Sequence, residues 1–332
     1  MIENKKASIL LILNVLKEYS DEDHFLTQQD IIEKVNQLYG IELERKSIAF
    51  SIYLLQELGY DVNKSPRGGY ALLARTFDSS EIRFITDALF SMNSLSKRQA
   101  TSLAKKVNSC LSKYQRKDYN YIYKCGDFKS YENADLFYNL ELIEEAKKRG
   151  KRISFQYLTF DENGKPYTKM DGYRYIVSPY YSVNSNGRYF LMANYREKYR
   201  PIQLFRIDYM VNPQIEEEWA IKPIKSLEGM ENFNVYKYLK DTVYLLEGEV
   251  CVACFKIEKP SAIQYVVDWF GNNARLYNRN GNQYATVIGN ENALFYWYMQ
   301  YSESITVFSP QTLVNRVREE AERILQKHGT KI

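Results

Sequence analysis

The chain has 332 residues, 45% of them apolar, with 45 Lys and Arg against 41 Asp and Glu. That length allows two or three domains with packed cores, and no apolar run approaches the roughly 20 residues of a membrane span. Two histidines and four cysteines argue against a His-based triad or a His-rich zinc site.

The first segment carries Glu3, lacks a small-residue cleavage site and spaces its apolar residues as a helix does, so it does not read as a signal peptide, and a cytoplasmic location is expected. Ile9, Ile12, Leu13 and Leu16 mark the buried stripe of a helix over 7–19. Thr27 then stands as an N-cap with Asp30 in capping-box position. That second helix stops at Gly40, and a third, roughly 44–58, stops at Gly59. Tyr60 to Leu73 reads as two short strands around Pro66-Arg67-Gly68-Gly69. Three helices followed by a hairpin is the winged helix-turn-helix plan, expected over 1–75. On that plan the third helix enters the major groove of double-stranded DNA with Arg45, Lys46, Ser47, Phe50 and Ser51, and the hairpin lays Lys64 and Arg67 along the phosphates or the minor groove. Residues 1–75 hold nine Lys and Arg against eleven Asp and Glu, but Arg45 to Arg75 holds five against two. The positive charge is thus gathered on the expected DNA-contacting elements.

Residues 76–148 read as a helical linker. One helix starts after Phe77-Asp78, and Ser96 caps a second with Leu103, Val107 and Leu111 on one face. Residues 114–130 read as a loop rich in Tyr and Lys. Leu140, Ile143 and Ala146 mark a further helix.

From Lys151 to Ile215 about five short antiparallel strands are expected, alternating in period two and rich in β-branched and aromatic residues. Asp161-Glu162-Asn163-Gly164 and Asn184-Ser185-Asn186-Gly187 read as their hairpin turns. The motifs here are Val177-Ser178-Pro179-Tyr180, Tyr189-Phe190-Leu191 followed by Met192-Ala193, and Phe205-Arg206-Ile207-Asp208. In order and spacing they resemble those of the WYL domain, which has Val-x-Pro-Tyr, Trp-Tyr-Leu and Phe-Arg-x-Asp at these places. Tyr209 stands where that family usually has a second basic residue. The resemblance implies an Sm-like small barrel over 149–222 that senses a ligand, a nucleotide or single-stranded nucleic acid among the possibilities. Arg206 and Asp208 share strand parity, so they either bridge each other or meet an anionic ligand together. Tyr157, Arg174, Arg188 and Tyr189 are further ligand candidates. Leu58 to Val62 and Gly68-Gly69-Tyr70 also resemble the DNA-binding domain that precedes WYL domains, although the Arg-Asp pair common near Phe50-Ser51 is missing.

Strands and helices then follow in the order βαββαβ, expected as a ferredoxin-like domain over 235–332. Ser309 is expected to cap a last helix with Pro310 at its first position, and with Leu313, Val317, Ala321, Ile324 and Leu325 on one face. Cys251 and Cys254 lie in a strand pattern and read as structural. No phosphate-binding Gly loop or catalytic carboxylate pair is visible, so no enzyme activity and no cofactor are expected. The fold class is therefore α+β multidomain. The function expected is a homodimeric, ligand-responsive, DNA-binding transcription regulator. The alternative is an RNA- or single-stranded-DNA-binding accessory protein of a nuclease or phage-defence complex.

Overall fold

The computed structural model describes residues 7–66, 68–116, 135–196, 201–241, 245 and 248–329. It is a mixed helical and sheet structure with several antiparallel sheets, divided into two units, Met1–Leu136 and Phe137–Ile332.

The first unit opens with helices α1 (Ser8–Tyr19), α2 (Gln28–Tyr39) and α3 (Arg45–Glu57), then strands β1 (Val62–Lys64) and β2 (Tyr70–Leu72). The apolar stripes Ile12/Leu16, Ile31/Val35 and Ile48/Ile52/Leu55 converge in one core. Thr27 caps α2 with a complete capping box through Asp30, and Gly40 leaves it with φ +67°. The hairpin is fastened to the helices by reciprocal backbone bonds between Leu26 and Tyr70, at 2.9 and 2.7 Å. Gly69 makes this possible. Its φ is +92°, and a Cβ there would meet the Leu26 backbone at 3.1 Å. Next come α4 (Ser79–Ser91) and α5 (Lys97–Asn108), each opened by a capping box, Asp78 with Glu81 and Ser96 with Gln99. In α5 the buried positions are Ala100, Ala104 and Asn108, whereas Leu103 and Val107 are half-buried. Leu111, the third residue of the expected face, lies just past the helix and is buried.

Asp21 ties the turn after α1 to Ser112. Its carboxylate is buried, accepts from the Ser112 hydroxyl at 2.5 Å and meets His24 Nδ1 at 2.6 Å. Burial pushes its pKa up, but the hydroxyl, His24 and the Asp23 amide outweigh this and hold it below the ordinary 3.8. A depressed folded pKa means stability present above the unfolded value and lost as pH falls through the folded one. Asp21→Asn is therefore expected to lower stability at neutral pH by about 1–3 kcal/mol. It should also flatten the loss of stability below about pH 4, as checked by thermal melts across that range.

The second unit begins with α6 (Leu136–Lys148) and a sheet of β3 (Lys151–Phe160), β4 (Pro166–Thr168), β5 (Arg174–Ser185), β6 (Arg188–Asn194), β7 (Gln203–Arg206) and β8 (Met210–Ala220). β3 pairs with β4, β5 and β8, and β5 continues through β6 to β7. There are six strands here rather than about five. A short 3-10 turn, Ile207–Tyr209, separates β7 from β8, and Pro166–Thr168 pairs with the end of β3. Asn186 and Gly187 both take positive φ, +50° and +70°, in the turn between β5 and β6. Asn139, buried on α6, donates to Ile207 O at 3.1 Å and Met210 O at 2.9 Å, clasping the 3-10 turn.

After α7 (Val235–Asp241) come β9 (Val250–Ile257), α8 (Ala262–Phe270), β10 (Ala274–Arg279), β11 (Asn282–Asn290), α9 (Glu291–Tyr301), β12 (Ile305–Ser309) and α10 (Gln311–His328). The sheet order is β10-β11-β9-β12, all antiparallel. Phe255, Phe270 and Trp297 centre its core. One expectation at α10 is corrected. Pro310 occupies the N-cap position and Gln311 begins the helix, without a side-chain cap. Leu313 is buried, but Ala321, Ile324 and Leu325 are exposed, because α10 runs past the edge of the core.

Candidate functional site

In the sheet of residues 151–220, Phe155, Tyr157, Tyr175, Phe205 and Tyr209 form one ring cluster. Period-two alternation puts Phe155 and Tyr157 on one face of β3. The register sets Tyr175 opposite Phe155. The Phe155 ring centroid lies 5.8 Å from that of Tyr175 and 5.3 Å from that of Phe205. Phe155 is fully buried. The Tyr157 hydroxyl accepts from the Arg206 amide at 2.9 Å, and burial pushes the Tyr157 pKa up to about 12.

Arg206 is anchored on three sides. Its Nε donates to Asp208 Oδ1 at 3.0 Å and its Nη2 to Oδ2 at 2.5 Å, a bidentate pair. Nη1 donates to the Tyr209 hydroxyl at 2.9 Å, and the guanidinium lies 3.8 Å from the Tyr209 ring centroid. Burial alone lowers an arginine pKa, but Asp208 more than offsets it and the Arg206 pKa rises. The Arg206 side chain is 21% exposed and that of Asp208 3%. Their meeting does not come from strand parity, since Asp208 lies in the 3-10 turn. The turn brings the carboxylate back to the guanidinium.

Arg174 is engaged elsewhere, with Nη2 2.8 Å from Ser154 Oγ and 3.0 Å from Asn212 O. Tyr189 is half-buried, and Arg188 is exposed beside the β5–β6 turn. Neither is joined to the Arg206 cluster by a hydrogen bond or ring contact among the described residues. A second polar group went unread in the sequence. The Tyr195 hydroxyl donates to that of Tyr173 at 2.9 Å, and Arg196 Nη2 donates to the same oxygen at 3.1 Å. These two donors hold the Tyr173 pKa below its ordinary value, while burial lifts Tyr195 to about 12. Aromatic density in the motif stretch was visible, but which hydroxyls meet depends on the register.

On α3, Arg45, Lys46 and Phe50 are exposed and Ser47 half-buried. Ser51 is corrected. It is 3% exposed and faces the core with Ile48, Ile52 and Leu55, so it cannot reach a groove. Tyr53, 54% exposed, stands on the outer face instead. The spacing from Lys46 through Phe50 to Tyr53 would have found it. Lys64 is exposed at the end of β1, and Arg67 lies outside the described residues.

Cys251 and Cys254 are free thiols, half-buried and buried. Three residues apart on β9, they point to opposite faces and cannot share a metal. Among the described residues no group of three or more His, Cys, Asp or Glu could hold a metal ion, and no helix is long and apolar enough to cross a membrane.

A search of curated proteins finds no match. Among solved structures, the chain is similar to Proteasome accessory factor B/C (PafBC) of Arthrobacter aurescens at 15% identity and a TM-score of 0.27, covering 95% of this chain and 46% of that one. This chain thus spans less than half of that protein's length. A CRISPR Cas-related protein is similar at 15% identity and a TM-score of 0.38, covering 97% of this chain and 86% of that one. At these scores neither likeness bears on what this chain does. Residues 138–215, from α6 with its Asn139 clasp through the Arg206–Asp208 pair and into β8, match the WYL domain.

Proposed function

We propose that the chain is a ligand-responsive, DNA-binding transcription regulator that works as a homodimer. In this reading residues 1–75 form a winged helix-turn-helix, 76–148 a helical linker, 149–222 an Sm-like WYL barrel and 235–332 a ferredoxin-like domain. The observation that carries it is the exposed pair Arg45 and Lys46 in the first turn of α3, ahead of the fastened hairpin. Two cations repel each other there and oppose the positive end of the helix dipole. A DNA phosphate at that end relieves both, and Phe50 and Tyr53 then face the groove. Lys64 and Arg67 of the hairpin supply further phosphate contacts.

The sensing role rests on the WYL match rather than on Arg206, whose charge is already met by Asp208. A nucleotide or single-stranded nucleic acid remains the ligand class that basic residues among aromatics suit best. Arg206, Asp208, Tyr157 and Tyr209 form the group that such a ligand would rearrange. Arg174, Arg188 and Tyr189 lie in the same barrel and could extend the contact.

The test is binding to labelled duplex from the chain's own promoter region. Arg45→Ala/Lys46→Ala is expected to weaken it about 10–100-fold and to reduce the slope of log affinity against log salt by about 2. Equal binding by wild type and the double variant would sink the proposal.

A further inference from the structure

The sheet of β9–β12 buries one face and leaves the other open. Ala253, Phe255 and Ile257 of β9, with Ala285 and Val287 of β11, lie in the core. The alternate residues make the opposite face. The register sets Tyr277 across from Tyr284, Tyr284 across from Lys256 and Lys256 across from Thr306, so one row crosses all four strands. The Tyr277 and Tyr284 rings lie 5.6 Å apart at 17°. Phe308, at the irregularity in β12, brings its ring to 5.6 Å from that of Tyr284 while remaining 60% exposed. The Tyr277 hydroxyl, 3.3 Å from Cys254 Sγ, pins its ring to the sheet.

Charge flanks these rings. Arg275 and Arg279 lie two residues either side of Tyr277 on the same face of β10. Both are exposed, and neither has an ion pair among the described residues. Among the described residues, an acid on this face is Glu258, which pairs with Lys256 at 3.0 Å and accepts from Thr306 at 3.0 Å. Cross-strand pairing between Tyr277 and Tyr284 alone would stabilise the sheet, but it accounts neither for an exposed Phe308 on the β12 side of Tyr284 nor for two unpaired arginines on the β10 side. Every nucleobase has a π-face and can stack on such rings whatever its identity, and the arginines suit the phosphates between bases.

We propose that this open face binds single-stranded nucleic acid, with about two or three bases on Tyr277, Tyr284 and Phe308 and the backbone running past Arg275 and Arg279. The proposal stands on this sheet alone and not on the regulator reading. The test is fluorescence anisotropy of the full chain with a labelled oligothymidylate of about ten nucleotides, within the usual site size of a single-strand-binding domain. Phe308→Ala and Arg275→Ala/Arg279→Ala change exposed side chains, and circular dichroism checks that each variant folds. Each is expected to weaken binding about tenfold or more, and the arginine variant to flatten the salt dependence as well. A duplex of the same length, titrated in parallel, reports on the α3 face, so the DNA-binding reading and this one fail separately. Wild type that does not bind the single strand, or variants that bind it equally, would overturn the proposal. So would a Phe308→Ala variant that binds equally but sediments at lower mass than wild type, since the face would then be a contact between copies of the chain.

Discussion

Asp208→Ala is expected to destabilise the second unit by about 3 kcal/mol, because it strands the guanidinium of Arg206 in a site only 21% exposed. Arg206→Ala is expected to cost a similar amount, since it leaves the Asp208 carboxylate at 3% exposure without its bidentate partner. The decisive variant is the double replacement Arg206→Met/Asp208→Ala, which removes both charges and keeps much of the volume. It should recover at least about half of the single-variant loss, as urea unfolding of the four proteins would measure. If instead both singles stay within about 0.5 kcal/mol of wild type, the pair is not a structural tie and Arg206 is available to an anionic ligand.

Phe155→Ala is expected to be at least as damaging, at about 3–5 kcal/mol. Phe155 is fully buried, and its ring touches those of Tyr157, Tyr175 and Phe205. Removing it opens a cavity where the strands meet, and the loss reaches the site. Tyr157 would lose its packing on one side, and with it the hydroxyl that receives the Arg206 amide. Phe155→Leu keeps most of the volume and should cost about 1–2 kcal/mol. Denaturant melts give the magnitudes. Near-ultraviolet circular dichroism should lose intensity in the alanine variant and keep most of it in the leucine variant.

Local chemistry was the most legible part of the sequence. Thr27 with Asp30, Gly40 after α2 and Gly59 after α3 act through neighbours a few residues away, and the structure has each of them in place. Period two also located β3, β5 and β6, since a half-buried strand writes its own alternation. Ser51 was misjudged although its position was readable. It sits three residues after Ile48 and four before Leu55, both on the inner face of α3. Arg206 and Asp208 met for a reason the sequence hides, because alternation cannot distinguish a continuing strand from a 3-10 corner. The Asn139 clasp was beyond sequence reading, with its acceptors 68 and 71 residues away. Tyr209 was noticed as a missing cation. Its part in holding Arg206, through both hydroxyl and ring, emerges once the turn is formed. In α10 the apolar pattern was read correctly, but Ile324 and Leu325 lie on a part of the helix that no element of the described chain covers.

Coupling between ligand and duplex is what the proposed function requires above all. The direct measurement is affinity for the promoter duplex with and without a saturating short single strand, at one fixed salt concentration. A regulator whose ligand distinguishes two poses must show a change of about fivefold or more, in either direction, and the duplex must change single-strand affinity by the same factor. Tight binding of both nucleic acids with no mutual effect would contradict the account.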